Sequence, residues 1–171
     1  MRYAASSPCC SSCLHVGWPT TKFSIYQSAA GIGDGFQNPH FVSDHPAVLG
    51  AMGMLDPLPT TDTLKMRITL DKVLKTWNWP STWGWDYPLM AMTAIRLKDA
   101  DLAINLLLAP QEKNMYLVNG HNYQDKRLRL YLPGNGGLLT SLAFLARGQM
   151  GDNQFVGFPA IWPVRVEGFG K

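Results

Sequence analysis

The 171-residue sequence predicts an all-α fold made of stacked helical hairpins. Three observations predict it. From Pro46 onward apolar residues recur at helical spacing in five windows, each bounded by a capping residue, a proline or a glycine. The windows change between amphipathic and apolar on nearly every side, the pattern expected of outer and inner helices in a layered helical array. Their links are short on one side and long on the other, as antiparallel helix pairs require.

The first window, Pro46 to Leu55, has Asp44 as its expected N-cap and Pro46 in the first turn, and Asp56-Pro57 closes it. The second, Asp62 to Trp77, places Met66, Leu70, Val73, Leu74 and Trp77 on one face. Lys65, Arg67, Asp71, Lys72 and Lys75 take polar positions, which marks an outer helix with Trp77 in the core. The third, Tyr87 to Leu97, takes Asp86 as N-cap and Pro88 in its first turn. It is apolar almost all round, the signature of an interior helix. After a link at Lys98 and Asp99, a fourth helix runs to Ala109, where Pro110 stops it. The fifth, Gly137 to Ala146, ends at Gly148. Short strand-like pieces are expected at Arg127 to Leu132 and at Val164 to Val166.

Residues 1–40 read as a poorly ordered leader, because Ser, Gly and Thr dominate there without a sustained period; 41–171 form the helical domain. Within the leader, Cys9, Cys10 and Cys13 stand near His15, but no second cluster completes a zinc site, so no metal and no cofactor are expected. Gly31-Ile32-Gly33-Asp34-Gly35 has no strand before it and is not a nucleotide loop. A hydrophobic fraction of 46% against 16% charged residues is more apolar surface than a domain of this size hides easily, which points to cover by a partner, by further sequence or by self-association. A net charge of +3 is too small for polyanion binding, and Lys126, Arg127 and Arg129 read as a solvated loop, so no nucleic acid is expected as partner. The longest apolar runs, such as Leu102 to Ala109, fall well short of the ~20 residues a membrane span needs. The start of the chain has no apolar secretory core, and localisation is not readable.

Three loops hold the residues that could carry chemistry. Residues 77–86, Trp-Asn-Trp-Pro-Ser-Thr-Trp-Gly-Trp-Asp, pack four indoles into ten positions. The others are Asn119-Gly120-His121-Asn122-Tyr123-Gln124 and Tyr131-Leu132-Pro133-Gly134-Asn135-Gly136-Gly137. A pyranose stacks its C–H face on an indole, and its hydroxyls want amide and carboxylate partners in fixed geometry. On this logic Trp83, Trp85, Asn119, His121, Asn122, Gln124 and Asn135 are candidate contacts to an oligosaccharide or glycoconjugate, with Asp86 the candidate catalytic carboxyl or simply a helix cap. His45 reads as a structural hydrogen-bonder. Glycoside hydrolysis uses two carboxyl groups across the scissile bond, and the sequence is poor in them: its two glutamates, Glu112 and Glu167, lie outside the aromatic loops.

In order and spacing these segments resemble the C-terminal half of six-hairpin glycosidases, nearest to glycoside hydrolase family 95, the α-L-fucosidases, and its relatives such as family 65. The resemblance rests on Ser43-Asp44-His45-Pro46 with Gly53-Met54-Leu55, on Trp83-Gly84-Trp85-Asp86-Tyr87-Pro88 followed by Met92-Thr93-Ala94-Ile95-Arg96-Leu97, and on Leu132-Pro133-Gly134-Asn135-Gly136-Gly137. It implies an incomplete (α/α)6 toroid of about five helices with long aromatic and Gly-rich loops, from an enzyme that cleaves O-glycosyl bonds. Two departures limit it. Pro133 stands where that family's loop carries the aspartate that activates its base, and the general-acid glutamate would belong to an earlier hairpin. A fragment that supplies sugar-site loops is therefore the leading expectation; a non-catalytic carbohydrate-binding domain and a helical protein-interaction scaffold are the alternatives.

Overall fold

A computed structural model describes Tyr26 and residues 35–168. The cysteine cluster and nearly all of the expected leader lie outside these residues. The described part is largely helical: α1 is Thr63–Thr76, α2 Asp86–Arg96, α3 Ala100–Leu107 and α4 Leu132–Gln149, with a two-stranded antiparallel ribbon of β1, Met115–Tyr116, and β2, Asn122–Tyr123. Short 3-10 turns fill the connections, among them Ala47–Ala51 and Trp79–Ser81. Among the described residues no helix is long and apolar enough to cross a membrane.

α2 is the axis of the structure. Every residue from Asp86 to Arg96 is buried, as an all-round apolar sequence demands. Each of Leu89, Met90 and Ile95, at 1% exposure or less, contributes on the order of 1.5–3 kcal/mol by leaving water. α1 is amphipathic, buries Met66, Leu70 and Val73, and is capped by the Asp62 carboxylate, which accepts from the Lys65 N–H at 2.9 Å.

The segments alternate in direction. Residues 45–56 run parallel to α2: His45 meets Asp86, Gly53 lies against Leu89 and Thr93, and Asp56 pairs with Arg96. α4 also runs parallel to α2, with Gly137 and Ser141 against Pro88 and Phe144 against the Arg96 guanidinium. α1 runs the opposite way. Its Trp77 Nε1–H donates to Asp44 O at one end, and at the other Arg67 donates to Leu97 O and Asp99. α3 also reverses, after a turn in which Lys98 takes φ 66° and the Asp99 N–H returns to Ala94 O. This is the 6→1 bond of a Schellman end, here with lysine in the left-handed position. The ammonium of Lys98 donates to the carbonyls of Asn153 and Phe155, which anchors the turn. The three parallel segments thus begin at one end, at His45, Asp86 and Tyr131.

Several expected elements differ. Pro46 to Leu55 is not an α-helix but a 3-10 turn, Ala47–Ala51, followed by turns. Gly53 sits so close to α2 that a Cβ there would lie 2.5 Å from Thr93 Oγ1 and 2.8 Å from Leu89 O, and this contact sets the path of the backbone. Asp44 does not cap it; its φ is 62°, and its backbone is held by Ser81 Oγ and Trp77 Nε1. Asp86 is the first residue of α2, not its N-cap, and its carboxylate reaches back to the Trp83 N–H at 2.7 Å. α4 begins five residues before the expected Gly137, because Gly134 and Gly137 are packing glycines against Asn122 and Pro88 and do not break the helix. Arg127 to Leu132 is not a strand: the Asp125 carboxylate accepts from the N–H groups of Arg127 and Leu128 and turns the chain. Val164 to Val166 carries no strand pairing either.

Candidate functional site

The beginnings of the three parallel segments converge. Asp86 lies fully buried beneath the surface, and above it His45 presents Nδ1 at 3.0 Å from Asp86 Oδ1 and 3.2 Å from Oδ2. The Trp85 indole Nε1–H also approaches His45 Nδ1, at 3.0 Å. On the other side of the ring, Nε2 faces the exposed Asp44 carboxylate at 3.5 Å.

A line of rings runs past the imidazole. Its centre lies 5.0 Å from Trp85 and 5.9 Å from Trp83, and Trp83 in turn lies 5.5 Å from Tyr131. All four rings are half-buried, each with part of its surface in solvent.

A single ring nitrogen cannot serve both neighbours in the same way. Protonated, Nδ1 donates to the Asp86 carboxylate and turns an N–H toward the indole N–H; unprotonated, its lone pair accepts from Trp85. Burial raises the Asp86 pKa from 3.8 to about 6, opposed by the Trp83 N–H and by His45. Asp86 is therefore a carboxyl whose proton is held or released near neutrality, in contact with a histidine that reaches the surface. Burial, with the charges of Asp86 and Asp44, also raises the Tyr131 hydroxyl above its usual pKa.

The other loop residues support this surface from below and beside it. Asn122 and Gln124 are buried, so their amides face protein instead of solvent. Asn122 Nδ2 donates to the carbonyls of Lys113 and Met115, while its Oδ1 fits against Gly84 and Gly134, where a Cβ would lie 1.8 Å and 2.3 Å from it. Gln124 Oε1 accepts from the Gly84 N–H at 2.9 Å and its Nε2 donates to Thr82 O. Asn135, half-buried, accepts from the Asn122 N–H and donates to Gly120 O at 2.7 Å. Asn119 and His121 lie at the tip of the ribbon, where Asn119 Oδ1 accepts from the His121 N–H at 3.2 Å.

Neither a family model, nor a curated protein, nor a solved structure matches this chain. The site is therefore read from its own geometry. That geometry brings Trp83, Trp85 and Asp86 into one cluster with His45 and Tyr131, which sequence reasoning did not select. The Asn119-Gly120 pair is a hairpin-turn signal that could have revealed the ribbon; the Leu117 N–H bonds to His121 O across it. Nothing local marks His45 as the partner of a carboxyl 41 positions away. Among the described residues no group of three His, Cys, Asp or Glu side chains is arranged to hold a metal ion.

Proposed function

We propose that the chain supplies the sugar-facing loops of a carbohydrate-active enzyme of the (α/α)6 type, a glycoside hydrolase whose full-length parent cleaves O-glycosyl bonds. One observation carries the reading: half-exposed Trp83 and Trp85 rings flank an imidazole backed by a buried carboxyl, with Tyr131 against Trp83, at the end where three parallel segments begin. Indole and phenol faces suit the C–H patches of a pyranose, and His45 Nε2 with Asp44 offers hydroxyl partners beside them. The alternation of parallel inner and antiparallel outer segments supports a partial toroid. Its exposed edge would be α4, whose Leu132 and Leu139 are 63% and 66% exposed.

Asp86 is out of reach of a substrate, so its role in this reading is to position the His45 ring. Hydrolysis needs an acid and a second carboxyl across the bond, and the loops described here are read as one wall of such a site. The buried state of Asp86 equally favours a non-catalytic reading, a domain that binds carbohydrate without cleaving it. Titration of the chain with neutral oligosaccharides, followed by tryptophan fluorescence, tests the shared claim: a saturable change is expected, and its absence across a panel of oligosaccharides overturns both readings. Release of reducing sugar by the chain joined to further hairpins separates hydrolysis from binding.

A further inference from the structure

At the opposite end of α2 a cavity of about 400 Å³ opens between α1, the turn after Ala51 and the segment after α4. Arg96, the last residue of α2, forms part of its lining, with a side chain only 5% exposed. The guanidinium is held from behind by two aromatic faces, with its carbon 5.2 Å from the centre of Phe144 and 4.7 Å from that of Phe155. Such contacts fix a cation in place and strip it of water.

Its hydrogen-bonding capacity is only partly used. Nη2 donates to Asp56 at 2.7 Å, Nη1 reaches Gln154 Oε1 at a long 3.4 Å, and the buried Nε–H meets no acceptor among the described residues. Asp56 is 86% exposed while Arg96 is 5% exposed, so the pair joins a buried cation to a carboxylate that stands in solvent and can swing away from it. A ligand can replace it. The N-terminus of α1, capped by the Asp62 carboxylate, borders the same space through Thr61 and Thr63. Lys98 and Arg147 add positive charge nearby, Arg147 over the Phe155 ring, against Asp152.

We propose that this cavity is a second binding site, independent of the sugar-facing surface, that takes a small organic monocarboxylate. The planar fork of a guanidinium matches a carboxylate in two parallel bonds, and the two terminal nitrogens, Nη1 with its long bond to Gln154 and Nη2 with its bond to the exposed Asp56, supply them. Met52, Pro57 and Leu58 form an apolar wall beside it, suited to a short hydrocarbon body. Once Asp56 swings away, Arg96 is the one cation among the lining residues and balances a single negative charge.

The Arg96 Nε–H resonance of the full ¹⁵N-labelled chain, assigned through its proximity to the Phe155 ring, reports on the guanidinium whose terminal nitrogens meet the ligand. Sodium benzoate is expected to move it saturably, and benzamide, the neutral isostere, to leave it in place. Asp56→Asn removes the competing charge and keeps an acceptor for Nη2; it should tighten benzoate by up to about fivefold, the fold-change that corresponds to about 1 kcal/mol. The proposal is overturned if benzoate and benzamide act alike, or if Asp56→Asn leaves benzoate affinity unchanged. It is also overturned if inorganic phosphate binds as well as benzoate, since the apolar wall would then play no part.

Discussion

The buried Asp86 carboxyl makes stability depend on pH in a direction opposite to that of a salt-bridged aspartate. Its pKa stands at about 6 in the folded chain against an ordinary value of 3.8, a difference of roughly 3 kcal/mol against the ionised form. Because the folded state binds this proton more tightly than the unfolded state, stability falls as pH rises from about 4 to 6. At pH 4 the carboxyl is mostly protonated when folded and costs about 0.5 kcal/mol; at pH 7 it is ionised in both states and costs close to the full 3 kcal/mol. Asp86→Asn removes the titration and keeps the shape. Its carbonyl can still accept from the Trp83 N–H, and its amide can donate to the His45 Nδ1 lone pair. Urea unfolding of both proteins, followed by tryptophan fluorescence at pH 4 and pH 7, isolates the effect. The stability difference is expected to move by about 2 kcal/mol in favour of the variant on going from pH 4 to pH 7. A difference that stays constant within about 0.5 kcal/mol refutes the assignment of a raised pKa to this group.

Other substitutions probe the scaffold and the surface. Gly84→Ala would put a methyl 1.8 Å from Asn122 Oδ1 and 2.8 Å from Lys113 O, neither able to retreat cheaply; a loss of about 1–3 kcal/mol in chemical unfolding is expected. Lys98→Gly relieves the left-handed backbone and gives up the ammonium anchors, so its melting temperature should stay close to the parent's. Lys98→Ala keeps the strain and loses the anchors, and should cost about 1 kcal/mol. Trp83→Ala and Trp85→Ala should each weaken oligosaccharide binding by on the order of 1 kcal/mol in fluorescence titration, while Asn119→Ala, at the exposed ribbon tip, should cost less.

The parts of the fold legible in sequence are those where local and tertiary preferences agree. α2 and α3 are marked by Pro88 in a first turn and by Pro110 beyond the end, and nothing in the packing contradicts those signals. The first window failed because its periodicity is helical while Gly53 must press against α2, and that requirement lies 36 to 40 residues further along the chain. The start of α4 was hidden for a related reason: Gly134, Gly136 and Gly137 look like loop residues, yet the two that touch other segments are small because Asn122 and Pro88 occupy the space of their side chains. At the site, the indole density of residues 77–86 was visible as composition. The roles of Asn122 and Gln124 were not, because an amide that ties loops together and one that meets a ligand have the same sequence appearance. His45 and Tyr131 join the cluster through contacts that no local pattern encodes.

The dependence of the surface on Asn122 has a kinetic consequence. Its side chain closes on Gly84 and Gly134 and on two carbonyls near the ribbon, so the wall cannot assemble before these distant stretches have met. Pairs such as α2 and α3, joined by a turn of a few residues, close small loops and gain contacts early. In refolding, helical signal should therefore rise ahead of the environment of Trp83 and Trp85, which acquires its native form only once the last parallel helix has docked.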